Sequence, residues 1–430
     1  MDLVGEKKKS GVTVFGPTAF YSLLHVLVDG VCAFAMFGTF LVRPQGYDDV
    51  LTYNFCAFAL QMPLGAALDV LNPSREKVLP LATACMGVAL TLVGAFTHPA
   101  LLGIGNALFH VGGGVGTIFE DREKGWQGRG LGVFVAPGAL GLYLGALLAK
   151  NGAEIGWLWG VGVFMLLACA GAVGRVFVRG SARGSCQGGS RAGAGEDVVQ
   201  LASGAVRGSS QGGLRAGAGE AVVRMASGAV RGSSQGGSRA GTADVAHPVS
   251  CPVRAPSKNS VHSGATGVLP LAACLLLVVI LRSHIGMTVT FPWKTTALAG
   301  FFAALAVAAG KAAGGFWTVG LGSLRTILLS LAAAAVCYLF SGYAVFGLTA
   351  LFLFNVTMPV TLYLLVRRLP RLPGFSFGLL TFGLFLGFLP AYFGVAAGQD
   401  GNVAGCIGSM VSLVILMCGI LWDSKEHAGG

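Results

Sequence analysis

Residues 183–206 read RGSCQGGSRAGAGEDVVQLASGAV, residues 207–230 read RGSSQGGLRAGAGEAVVRMASGAV, and residues 231–241 begin a third copy, RGSSQGGSRAG. Each 24-residue unit carries only a short apolar patch, V-V-x-x-A-S, among Gly, Ser and Arg. Such units cannot bury a core, so the expected state of residues 179–266 is a flexible, disordered Gly/Ser/Arg-rich tether rather than a solenoid. The stretch holds ten Lys/Arg against four Asp/Glu, and it lies between two very different regions.

Moving outward from the repeats, long apolar runs follow in both directions. Spanning a bilayer takes about 20 mostly apolar residues, because lipid satisfies no backbone hydrogen bond. Six such runs precede the repeats, near residues 17–42, 50–71, 78–97, 99–119, 128–149 and 155–178. Six follow, near 267–291, 295–318, 323–342, 344–366, 374–398 and 401–422. The predicted organisation is a six-helix bundle over 1–178, the linker 179–266, and a second six-helix bundle over 267–430. The first run is too long for the apolar part of a signal peptide, so it reads as a retained helix.

Composition agrees with that architecture. The chain of 430 residues is 54% apolar and only 11% charged, where soluble domains carry roughly a quarter charged residues. Its ten cysteines are scattered without a C-x-x-C pair, which indicates neither a disulfide framework nor a metal site. With the N-terminus inside, 25 of the 29 Lys and Arg residues fall on the inner side. Only Arg43, Lys150, Arg282 and Lys294 fall elsewhere. This asymmetry predicts a multi-pass inner or plasma-membrane protein with both termini and the linker cytoplasmic. The net charge of +11 thereby becomes a topology signal, and nucleic acid is not an expected partner. Membrane lipid is an expected partner: the basic tether is suited to anionic head groups on the cytoplasmic face, although an expanded linker without a specific role is the simpler reading.

Several strings carry more than hydropathy. The fifth run contains Gly132-Val-Phe-Val-Ala136-Pro137-Gly138-Ala-Leu-Gly141-Leu-Tyr-Leu-Gly145, whose small residues permit close helix contact. The second run ends Gln61-Met-Pro63-Leu-Gly65-Ala-Ala-Leu-Asp69, followed by Asn72-Pro73-Ser-Arg75-Glu-Lys77. The first carries His25-Val-Leu-Val-Asp29-Gly30, and the fourth Gly105-Asn106-Ala-Leu-Phe109-His110. The fifth-run string resembles the fifth-helix motif of the major facilitator superfamily, and the Gly65–Asp69 string resembles the motif between its helices 2 and 3. The three strings holding His25–Asp29, Gln61–Asp69 and Asn106–His110 resemble the fosmidomycin-resistance branch of that superfamily, a set of drug-efflux antiporters.

The resemblance implies a transporter working by alternating access, with its cavity lined by helices 1, 4, 7 and 10. It also implies a fifth helix that packs against the other half and helps gate. Gly65 would then allow close packing, and Asp69 would relay charge across the cytoplasmic gate. Val70 replaces the basic residue that usually follows the Asp, leaving Arg75 and Lys77 as partners. Val111-Gly112 stands where the branch commonly has Pro-Glu. Gate and packing candidates are accordingly Gly65, Asp69, Arg75, Pro137, Gly138, Gly141 and Gly145.

Buried polar residues mark the expected binding site. Asp29 lies twelve residues into its run, about 18 Å of helical rise, near mid-bilayer. A carboxylate there costs at least about 2.5 kcal/mol, which points to a cavity or partner. His25 lies one turn away, and His110 with Asn106 occupies the same depth in the fourth run. Arg282 and His284 interrupt the seventh run, and Asn355 the tenth. Lys311 reads as a gate or topology charge near an inner helix end. The reading is a monomeric secondary transporter for a small, anionic or polar-acid solute, coupled to protons, without a cofactor or metal. Its rivals are an uptake symporter or facilitator, and a non-transporting sensor or scaffold that signals through the repeats. Neither H-E-x-x-H nor G-x-G-D occurs, so an enzyme is not expected.

Overall fold

The computed structural model describes residues 16–188, 263–395 and 399–428. Residues 189–262 of the expected linker, with most of the repeats, and Lys7 to Lys9 fall outside these residues. The helix that begins at Trp157 continues to Gly188, past the expected linker start at 179 and into the first repeat. The described residues are helical, with one short parallel pairing of Val289–Thr290 with Gln399–Asp400 among them.

Twelve helices account for the twelve apolar runs. The first six are α1 (Pro17–Phe40), α2 (Gly46–Leu71), α3 (Val78–Phe96), α4 (Pro99–Glu123), α5 (Arg129–Lys150) and α6 (Trp157–Gly188). The second six are α7 (Ser263–Thr288), α8 (Ala297–Leu321), α9 (Ser323–Leu339), α10 (Ala344–Arg368), α11 (Pro373–Tyr392) and α12 (Gly401–Ala428). Eleven are long and apolar enough to cross a membrane, and α9, at 17 residues, is a shorter apolar helix. One π-helical turn, Met36–Phe40, closes α1, and another, Phe55–Ala59, interrupts α2. Such turns concentrate at functional sites.

Lipid supplies no hydrophobic force between helices, so close packing through small residues has to hold them together. The tightest pair is α3 on α4. Gly87 and Gly94 face the backbone near Phe109 and Leu102, while Gly105 and Gly112 face the backbone of Thr91 and Ala84. Glycines spaced by seven on both helices leave no room for a Cβ along the seam. Between the halves, α2 crosses α11 where Gly65 and Gly374 press backbone to backbone, and Gly378 does the same against Gln61. α5 contacts α8, with Gly132 set so that a Cβ would stand 3.0 Å from the Ala312 carbonyl.

Helix ends at the face where α1 begins are capped by carboxylates. Glu120 accepts from the Thr18 N–H (2.6 Å) and hydroxyl (2.5 Å) at the start of α1. Asp121 accepts from the N–H groups of Gly128 (2.7 Å) and Gly130 (2.8 Å) at the start of α5. Asp69 accepts from the N–H groups of Gly374 (2.9 Å) and Phe375 (2.8 Å) in the first turn of α11. Each acid satisfies orphan N–H groups and meets the positive end of a helix dipole. Arg122 adds a second tie between the halves, donating to the carbonyls of Pro370 (2.9 Å) and Val366 (3.1 Å).

Candidate functional site

A cavity of about 700 Å³ lies between the two six-helix groups. The expected lining helices α1, α4, α7 and α10 all contribute, through His25 and Asp29, His110, Arg282 and Asn355 respectively. The lining also includes α2, α5, α8 and α11, through Tyr53 and Gln61, Gly138, Lys311 and Phe377. Most of its wall is apolar, so the few polar groups are conspicuous by position.

The acid end is a compact cluster. One turn of α1 sets His25 beside Asp29, with Nε2 3.2 Å from Oδ2. His110 on α4 reaches the same point: its Nε2 lies 2.9 Å from His25 Nε2 and 3.6 Å from Asp29 Oδ1. Asn106, one turn before His110, donates to Asp29 Oδ1 at 3.2 Å and approaches Cys32 Sγ at 3.5 Å. The rings of His25 and His110 meet edge to face, and Phe109 and Phe134 pack around His25. All three ionisable residues are 6–9% exposed, and what exposure they keep is to the cavity.

The other Nδ1 atoms settle the tautomers. His25 Nδ1 lies 2.7 Å from the Phe134 carbonyl, and His110 Nδ1 lies 2.9 Å from the Asn106 carbonyl. A carbonyl oxygen only accepts, so both Nδ1 atoms carry hydrogen. In neutral rings both Nε2 atoms are then lone pairs, and they face one another and a carboxylate. Three acceptors so placed require a cation among them.

The basic end is formed by Arg282 and Lys311. Arg282 does not reach outward to head groups; it is 8% exposed, lines the cavity, and leaves Nη1 buried without a hydrogen-bond partner. Lys311 lies mid-helix on the cavity wall rather than near an inner helix end. The span estimate had stopped α8 at 318, whereas the helix runs to Leu321, which moves Lys311 inward. Among the described residues, neither cation has an ion-pair partner.

Of the sequence candidates, His284 does not join the site and Asn355 joins it at the wall only. His284 is absent from the cavity wall, and its buried Nδ1 has no partner. Asn355 lines the cavity but spends its amide on the Leu351 carbonyl, 2.8 Å away. Gln61, read only as part of a packing string, is fully buried on the cavity wall with Oε1 unpaired.

The gate and packing expectations need correction. Gly138, Gly141 and Gly145 do not pack against the second half. Gly141 and Gly145 press on the α1 backbone at Val26 and Gly30, and Gly138 presses on the His25 and Asp29 side chains. Of its glycines only Gly132 meets α8, while Tyr143 closes on Gly300 and donates to the Ala297 carbonyl, so α5 does pack against the second half. Pro137 breaks α5 immediately before Gly138, which brings the helix onto the cluster. Among the described residues Asp69 makes no ion pair with Arg75 or Lys77; backbone N–H groups of α11 hold it, and Lys77 pairs with Glu123. Arg75 sits at a turn with φ 58° and lines a smaller, 260 Å³ pocket with Asp69 and Arg371.

Fold and site together define a polytopic helical membrane protein with a large charged cavity between two helix groups. No protein-family profile matches the chain, and no curated protein matches it. Among solved structures, the chain is similar to the E. coli fucose:proton symporter at 11% identity and a TM-score of 0.48, covering 94% of this chain and 98% of that one. A bacterial homologue of the iron transporter ferroportin, in an outward-facing state, matches at 14% identity and 0.46, covering 96% and 100%. An outward conformation of a major facilitator superfamily transporter, FucP, matches at 10% identity and 0.41, covering 95% and 99%.

Proposed function

We propose that the protein is a secondary active transporter of the major facilitator type, moving a small anionic solute through the central cavity by alternating access. One observation carries this reading: a buried acid–histidine cluster and two cations without ion-pair partners among the described residues, buried Arg282 and half-buried Lys311, border the same cavity between two six-helix groups. Unpaired ionisable groups at such depth are costly and mark a solute or ion path. Arg282 and Lys311 supply charge for an anion, and the apolar remainder of the wall suits an organic body.

Coupling is assigned to a cation held by His25, Asp29 and His110; a proton is the cation that the sequence reading placed there. Filling the cluster changes the charge beside the anion site and so biases one conformation over the other. With the termini cytoplasmic, antiport against an entering cation would carry the anion outward. The fosmidomycin-resistance-like strings support that direction, since two of them supply the whole cluster.

The test is thermal stabilisation of purified protein across a panel of small organic anions, cations and neutral solutes. A subset of anions should raise the melting temperature of wild type, and Arg282→Gln and Lys311→Ala should each remove that shift. Stabilisation by cations or neutral solutes alone, or shifts that both variants retain, contradicts the assignment.

A further inference from the structure

We propose that His25, Asp29 and His110 form a site for a divalent first-row transition-metal ion, with its fourth ligand position open to the cavity. This names the cation at the coupling site and rests on the transporter reading for its role in transport, though not for binding.

The geometry is that of one face of a tetrahedron. Bonds of about 2.0–2.2 Å to imidazole nitrogen and carboxylate oxygen place neighbouring ligand atoms about 3.3–3.5 Å apart in a tetrahedral site. The separations here are 2.9 Å between the two Nε2 atoms, 3.2 Å from His25 Nε2 to Asp29 Oδ2, and 3.6 Å from His110 Nε2 to Oδ1 of the same carboxylate, so the two oxygens of Asp29 together mark the third corner. All three ligand atoms lie within 4.8 Å of one another.

The supporting shell points the same way. Metal-ligating histidines hold their second ring nitrogen against a carbonyl or carboxylate, which fixes the tautomer and aims the lone pair. Both rings do so here, through Phe134 and Asn106 carbonyls at 2.7 and 2.9 Å. Asn106 steadies the carboxylate from behind. A proton can join only two of the three acceptors at once, whereas one metal ion satisfies all three. Gly138 leaves no room for a Cβ against His25 and Asp29, so α5 closes one side. The cavity lies on another, where water or the solute's anionic oxygen completes the shell. Two histidines and one carboxylate with an open position form a common binding set for such ions. The sequence hides it, because His25 and His110 are 85 residues apart.

The experiment uses full-length protein purified without a polyhistidine tag, stripped with a chelator, and titrated with Co²⁺. Four-coordinate Co²⁺ absorbs far more strongly in the visible range than the hydrated ion. The expected result is a band saturating at one equivalent. His25→Gln, Asp29→Asn and His110→Gln should each weaken binding at least about 100-fold, beyond the 10–100-fold typical of outer-shell changes. His98→Ala and His284→Ala should leave it unchanged. X-ray absorption on the loaded wild type, which needs no variant to fold, should report four nitrogen or oxygen ligands including two imidazoles. No stoichiometric band, a six-oxygen shell, or binding indifferent to the three ligand substitutions overturns the proposal. Intact cation-driven flux in protein that binds no Co²⁺ overturns the metal alone. One-equivalent binding in protein that carries no anion overturns the transporter reading alone.

Discussion

At the residue scale, Asp29 holds the only carboxylate in the cluster, so it supplies the charge that any coupling cation must neutralise. Asp29→Asn keeps the size and the hydrogen bond from Asn106 but removes that charge. In proteoliposomes the variant is expected to lose accumulation or extrusion driven by a cation gradient while retaining solute exchange, which needs the conformational cycle but no net cation movement. Full gradient-driven transport by the variant would make the carboxylate structural; loss of both activities in folded protein would place Asp29 on the solute or a gate instead. The depth of Asp29, His25 and His110 was legible in the sequence, because hydropathy locates mid-span positions without reference to partners. The contact of His25 with Asp29 was legible too, from their one-turn spacing, but that of His110 with both was not, since a helix's own periodicity says which residues share a face and nothing about the neighbour that face meets. Lys311 was misjudged for a related reason: small residues at the end of α8 blur its hydropathic edge, and a three-residue error moved a cavity charge toward a helix terminus.

At the scale of helices, the same distinction explains α5. Its glycine string announced close backbone contact, yet that contact lies with α1 inside the first half at Gly141 and Gly145. Gly141→Leu should therefore act on stability of the first half before it acts on gating. Overpacking a close seam costs about 1–3 kcal/mol or more, so a clearly lowered melting temperature in detergent is expected. An unchanged melting temperature would mean that the seam yields freely. Asp69 illustrates a feature that the residue pattern placed correctly and explained differently. The carboxylate sits between the halves, as the motif implied, but it works as a cap on α11. Losing a cap costs about 1 kcal/mol, which is about fivefold in the ratio of open to closed forms at that face. Asp69→Ala should raise the thiol-labelling rate of a cysteine placed at Leu68 by about that factor, and an unaltered rate would contradict the capping role.

At the scale of the whole molecule, the twelve described helices coincide with apolar runs, because the bilayer asks a similar length and composition of every span, with α9 at 17 residues the short one. The distribution of Lys and Arg predicts an orientation with the linker inside, on which protease added to sealed right-side-out cells should leave residues 179–266 intact. Cleavage there without permeabilisation would reverse the assignment. Alternating access itself demands that ties at opposite faces open in turn. At the face where α1 begins, Asp69 and Arg122 join the halves to α11 and its approach. At the other, Tyr47 and Tyr392 stack at 4.1 Å, and each hydroxyl donates to the other's backbone carbonyl, at 2.5 and 3.2 Å. The most direct test measures both faces at once, by electron–electron distance spectroscopy in protein whose native cysteines are replaced. One spin-label pair is placed at Pro73 and Arg371, the other at Gln45 and Val395. The account predicts two distance populations for each pair, with conditions that lengthen one pair shortening the other. A single population for both pairs, or both pairs lengthening together, would contradict it.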